Sequence, residues 1–243
     1  MKRTERHHLK ENEVASTVVR AKEALDRYHT PILAVAVGLV VVITGVAAFV
    51  MWRSQADNRS REMLAYAMTI AQTKVAPAPA PGAAPAPKAA SGFQTGQARD
   101  EAAYAAFMAV ADQYPASNAG LEARYHAAAT LTALGRNAQA VQTYQDVIAR
   151  AGNSIYGVLA KLGIANTEAA TGKYDTAIAT YRELAASTTG DLPVDGLLMQ
   201  IGYTCQAAGK AGDARQAFKR IVDEFPQSPY AADAKRAMDA IKS

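Results

Sequence analysis

The sequence predicts an all-α protein in which a single transmembrane helix precedes a solenoid of helical hairpins. Two observations carry that prediction. The stretch "PILAVAVGLVVVITGVAAFVMW", Pro31 to Trp52, contains no charged residue. Further on the chain repeats itself, with Gly135, Gly172 and Gly209 spaced 37 residues apart. A fixed period of that size marks stacked units, none of which buries its apolar face alone.

Residues 1–29 read as a cytosolic, partly helical segment. Within it Val14, Val18, Ala21, Leu25 and Tyr28 follow spacings of four, three, four and three, which puts them on one stripe of a helix in heptad fashion. Two heptads are too few for an independent coiled coil. The stripe therefore reads either as a docking element for a partner helix or as an amphipathic helix resting on the bilayer.

Residues 30–53 read as the transmembrane helix. No Asp, Glu, Lys or Arg occurs between Arg27 and Arg53, and the span is long enough to cross a hydrocarbon core of about 30 Å. Tyr28 and Trp52 at its ends suit the two membrane–water interfaces. The apolar run is longer and begins later than that of a cleaved signal peptide, so an uncleaved anchor is expected. The near flanks balance, with Arg20, Lys22 and Arg27 before the span and Arg53, Arg59 and Arg61 after it. The seven Lys and Arg residues of the N-terminal segment favour a cytosolic N-terminus and repeats outside the cytosol.

Residues 54–75 form a connecting helix with Leu64, Ala67, Met68 and Ala71 on one face, a possible first helix of the first repeat. Residues 76–97 are a Pro/Ala-rich linker holding five of the ten prolines. Alternating Pro and Ala favours extended polyproline II, read here as a solvated spacer, with a Pro-rich docking peptide as the functional alternative.

Residues 98–243 make the repeat domain with a C-terminal capping helix. Five residues after each turn Gly stands Ala140, Ala177 or Ala214; nine after, Tyr144, Tyr181 or Phe218; twelve after, Val147, Leu184 or Ile221. Ala103, Phe107 and Val110 supply an earlier partial copy. Seven residues before each Gly stands a small residue, Ala128, Ala165 or Gly202, where close approach of two backbones is expected. Pro115 and Pro226 end the outer copies, because Pro cannot continue a helix.

The segments "LGRNAQAVQTYQDVI", "TGKYDTAIATYRELA" and "AGKAGDARQAFKRIV" resemble the turn and second helix of tetratricopeptide repeats. That family's period is 34 residues. The excess here falls between units, around "RAGNSIYG" and "STTGDLPVDG". The resemblance implies that first-helix side chains line a concave groove, which assigns Tyr125, Thr132, Leu162, Asn166, Met199, Tyr203 and Gln206 to partner binding. Family members that clamp a C-terminal carboxylate use Lys and Asn in the groove, whereas Tyr125 and Ala129 stand at the first pair of such positions. The layout of short N-terminus, anchor, connecting helix and repeats also resembles the ancillary subunit of the bacterial Sec translocon. That resemblance implies translocon components, a membrane-bound periplasmic chaperone or unfolded clients as partners. A periplasmic scaffold of envelope biogenesis or cell division is the alternative, suggested by the terminal "FPQSPYAADAKRAM".

Composition argues against other classes. The chain carries a formal net charge of +4. From Ala98 onward, however, 14 Lys and Arg face 15 Asp and Glu, so the repeats lack the basic surplus of a nucleic-acid binder. No phosphate loop, His-Glu-x-x-His or cysteine pair occurs, so no catalytic residue, metal, cofactor or small-molecule substrate is assigned. The one cysteine, Cys205, is expected to pack as a small apolar residue.

Overall fold

The computed structural model describes residues 3–75, 92–187 and 192–241. In the first helix it describes side chains at 18–20, 22, 33–35 and from 37 onward. The described residues form an all-helical architecture: α1 (Arg3–Gln72), α2 (Gly96–Gln113), α3 (Asn118–Ala133), α4 (Asn137–Ala151), α5 (Ile155–Ala170), α6 (Tyr174–Ala186), α7 (Val194–Ala207), α8 (Ala211–Glu224) and α9 (Ala231–Ala240). Val75 and Phe93 add one isolated parallel bridge. The chain divides into two units, Met1–Gln55 and Ala56–Ser243.

In the first unit, α1 carries an apolar stretch whose mean hydropathy reaches 2.8 with none of it buried. By length and composition it can cross a membrane. Leu39, Val42, Val46 and Phe49 are all exposed, and Phe49 lies 6.2 Å from Trp52 between ring centroids. The Thr44 hydroxyl donates to the Val40 carbonyl at 2.7 Å, so this polar group is satisfied within the helix, as a lipid environment requires. Of the heptad stripe, Val18 is exposed; the side chains of Val14, Ala21, Leu25 and Tyr28 lie outside the described residues.

The second unit is built from the columns of the repeat. Gly135, Gly172 and Gly209 have φ of 72°, 81° and 73°, the left-handed conformation that a Cβ disfavours. Each turn closes in the same way: the amide after the Gly donates back to the helix, Arg136 to Leu131 at 2.8 Å, Lys173 to Glu168 at 2.9 Å and Lys210 to Cys205 at 2.8 Å. This satisfies carbonyls that the helix end leaves without partners. The Gly column therefore recurs because the hairpins α3–α4, α5–α6 and α7–α8 reverse by one backbone device.

The buried columns follow. Phe107, Tyr144, Tyr181 and Phe218 are 2%, 4%, 1% and 0% exposed, so the aromatic position is the centre of each hairpin core. Leu64 and Ala67 of α1 share a core with Ala103 and Phe107 of α2. Two glycines of the first helices leave room for an aromatic ring. A Cβ at Gly202 would stand 2.3 Å from the Phe218 ring, and one at Gly163 would stand 2.4 Å from the Tyr144 ring. At Gly202, in the small-residue column, an aromatic ring from the following helix lies against a bare Cα.

Polar ties set the register between units. Arg136 donates to Glu101 and Lys210 donates to Asp175 at 2.6 Å, each pair 35 residues apart. The intervening rung would join Lys173 to position 138, where Ala138 offers no carboxylate. Arg124 is buried and forks between Asp112 and Asp146, both at 3.0 Å, with the Ala111 carbonyl at 3.1 Å. Its planar guanidinium thereby ties α3 to α2 and α4. Cys205 is fully buried, and burial pushes its thiol pKa up, which keeps it protonated and unreactive.

Candidate partner-binding groove

A groove of about 350 Å³ opens between the first helices α5 and α7 and the short helix α9. Leu162, Asn166, Met199 and Tyr203 line it, so the structure gathers four of the seven assigned positions at one place. They meet because α5 and α7 present the same columns one period apart: Leu162 and Met199 share one column, Asn166 and Tyr203 another. Met199 is buried, while Tyr203 is 48% exposed and rests edge-on against Phe218 at 5.4 Å and 70°. That contact fixes a large amphipathic ring at the rim at little entropic cost.

The other three assigned positions lie outside this groove. Tyr125 is half-buried and packs on Tyr144 at 5.8 Å and His126 at 5.4 Å. The Thr132 hydroxyl is engaged with the Ala128 carbonyl at 3.2 Å and with Thr167 at 3.3 Å. Gln206 is exposed.

Several lining residues stand outside the seven assigned positions. Leu192, Pro193, Gly196, Tyr230 and Asp233 complete the wall. Their placement depends on Asp195, whose carboxylate accepts from Ser228 Oγ at 2.6 Å and from the Gly196 amide at 2.9 Å. This ties the start of α7 to the turn before α9 and so places Tyr230. Register explains why the groove is open here. Gly196 stands in the column of Glu122 and Leu159, and Tyr230 in the column of Tyr156 and Pro193. At the earlier interface the Tyr156 hydroxyl donates to Glu122 at 2.6 Å, a bond that spans the equivalent position. Burial, then that bond to Glu122, pushes the Tyr156 pKa up to about 12. At the last interface the column has run out to glycine, and Tyr230 stands 3.7 Å from where a Cβ of Gly196 would be.

The polar equipment is sparse. Tyr181 donates to Asn166 Oδ1 at 2.7 Å, which leaves the Asn166 amide nitrogen as a donor at the groove. Among the described residues, Asp233 is the one carboxylate in the lining, and no Lys, Arg or His lines it. Such a surface can hold apolar side chains and hydrogen-bond a backbone. A second cleft, of about 380 Å³, lies between α6, α7 and α8, where Arg182 pairs with Asp213 at 3.2 Å and Arg220 with Glu224 at 2.8 Å. Its rim cations are already partnered.

Comparison with known families agrees with this fold. The family described as "Tetratricopeptide repeat-like domain" matches residues 26–228. The chain belongs to this family. No curated protein matches it. Among solved structures, similarity is found to the nearly identical TPR-like repeats of a Podosopora anserina protein described as a kinesin light chain. One such structure, of a single-substitution variant, shares 12% identity with a TM-score of 0.56, covering 75% of this chain and 84% of that one. A second, without that substitution, shares 13% identity at the same TM-score and coverage. At such identity the likeness speaks for the fold. Tetratricopeptide-like repeats act as protein–protein interaction scaffolds, typically without enzymatic activity, and the groove is read in that light.

Proposed function

We propose that this protein is a membrane-anchored, non-enzymatic scaffold that assists secretory protein translocation or periplasmic chaperoning at the Sec translocon. The observation that supports this reading is the convergence of Leu162, Asn166, Met199 and Tyr203 on one open groove, in a chain that also carries an exposed apolar helix. In the proposed topology residues 30–53, within α1, are an uncleaved anchor of the bacterial inner membrane, the N-terminus is cytosolic and the repeats are periplasmic. The stripe Val14, Val18, Ala21, Leu25 and Tyr28 is a second docking element for a membrane partner. Residues 76–97 act as a spacer.

The test uses the full chain in its native membrane. Gln94, exposed at the start of the repeat unit, is replaced by Cys and probed with an impermeant thiol reagent; the native Cys205 is buried. Labelling of intact cells after outer-membrane permeabilisation is expected. Labelling only after lysis of the inner membrane would overturn the topology. Recovery of translocon components or a membrane-bound chaperone with the purified chain, and its loss on filling the groove, would support the partner assignment. Recovery of cell-division or outer-membrane assembly proteins instead would replace it with the alternative envelope scaffold.

A further inference from the structure

The groove's chemistry narrows what it holds. The inference rests on the scaffold reading above and concerns the class of segment bound at α5, α7 and α9. Three observations define the occupant. The floor is apolar, with Leu162, Leu197 and Met199 beneath Tyr203 and Tyr230. The remaining donor of Asn166 can meet a peptide carbonyl, since Tyr181 already occupies its oxygen. Among the described residues the only full charge in the lining is the carboxylate of Asp233, which otherwise engages Arg236 within α9. That pair is exposed and three residues apart, a weak tie that an incoming cation can exchange. A C-terminal carboxylate or an acidic flank would find no cation in this lining and would face Asp233 across the apolar floor.

We infer that the groove takes an internal, extended segment of a protein chain, with an apolar side chain seated on Met199 and a Lys or Arg beside it facing Asp233. Electrostatic complementarity of this kind selects partners more than it adds affinity. The same geometry supplies a way of closing the groove without disturbing the fold. Leu159 occupies the equivalent position in the preceding unit, so Gly196→Leu introduces a residue the repeat already carries. Its Cβ would lie 3.7 Å from both Pro193 and Tyr230, ordinary van der Waals contact, at a position that lines the groove.

The experiment measures binding of four fluorescent peptides to the full chain in nanodiscs by anisotropy. All share one Leu/Phe-containing core; two are flanked by Lys and two by Glu, each with either an amidated or a free C-terminus. Lys-flanked peptides are expected to bind at least about tenfold more tightly than Glu-flanked ones at low salt, with little effect of amidation. Asp233→Asn should reduce that ratio to about threefold or less, and Gly196→Leu should abolish binding of all four at unchanged helicity. Equal binding of Lys- and Glu-flanked peptides, still lost in Gly196→Leu, would overturn the charge rule while leaving the groove as the binding site. Tighter binding of free-carboxylate peptides would overturn it too. Binding unaffected by Gly196→Leu would overturn the groove reading itself.

Discussion

Replacing Gly202 by Ala sets two opposing effects against each other at one atom. Alanine is favoured over glycine within a helix by about 1 kcal/mol. Against that, the new Cβ would stand 2.3 Å from Phe218 Cε1, 2.6 Å from Cζ and 2.8 Å from Cδ1. Carbon atoms settle at about 3.5–4.0 Å, so the ring must retreat by more than about 1 Å. Phe218 is fully buried and its ring abuts Tyr203, so little space is available for that retreat. Overpacking of this kind costs about 1–3 kcal/mol, and repulsion prevails. Net of the alanine preference, Gly202→Ala is expected to destabilise the repeat unit by up to about 2 kcal/mol, a fall in Tm of up to roughly 8 °C for a unit of this size. Gly212→Ala is the matched control. It lies near the start of α8 with nothing within 4 Å of the added atom, so it should stabilise by about 0.5 kcal/mol. Thermal unfolding of both full-chain variants in detergent, followed by far-ultraviolet circular dichroism, reads the two signs together. A Gly202→Ala protein as stable as the unaltered chain would refute the packing account.

Other perturbations probe different links. Ala177→Leu, at a fully buried position in the α6 core, should destabilise by about 1–3 kcal/mol in the same melts, whereas shortening the Pro/Ala segment should cost little because loop length enters only logarithmically. Arg124→Lys keeps the charge but cannot span Asp112, Asp146 and the Ala111 carbonyl; a loss of about 1–2 kcal/mol in denaturant titrations is expected. Burial, foremost, pushes the pKa of Tyr144 and Tyr181 from 10.0 up to about 12. For a raised pKa the stabilisation is intact below about pH 10 and disappears as pH rises through about 12, so helicity should fall in that window as tyrosinate forms. Tyrosines titrating near pH 10 with helicity intact would contradict their burial.

The fold was legible because its signals are local and repeated. The Gly turns need φ near about +75°, and the Ala, aromatic and aliphatic positions must all face one core, so each left a letter at a fixed interval. The groove was legible only in part. Leu162, Asn166, Met199 and Tyr203 stand in the first-helix columns and meet as those columns imply. Pro193, Gly196, Tyr230 and Asp233 stand in first-helix columns that were not assigned to the groove, Gly196 and Asp233 in that of Glu122 and Leu159, and are significant through departures from the repeat. Comparing Gly196 with Leu159 and Glu122 in register would have indicated where the stack opens. Thr132 stands in a groove column yet spends its hydroxyl on Ala128 and Thr167, because the column does not reveal which way a small polar side chain is satisfied. Arg124 carried no sequence signal. Its partners lie 12 and 22 residues away and become neighbours only when three helices pack.

The central claim, that the groove of α5, α7 and α9 holds a protein partner in the membrane-bound state, is tested most directly by site-specific photocrosslinking in cells. A photoreactive residue is placed at Tyr203, which is half-exposed at the groove, and for comparison at Gln142, exposed on α4 away from it. The account predicts a discrete adduct from position 203 that disappears when Gly196→Leu is added, and none from position 142. Equal adducts from both positions, or an adduct at 203 that persists with the groove filled, would contradict it.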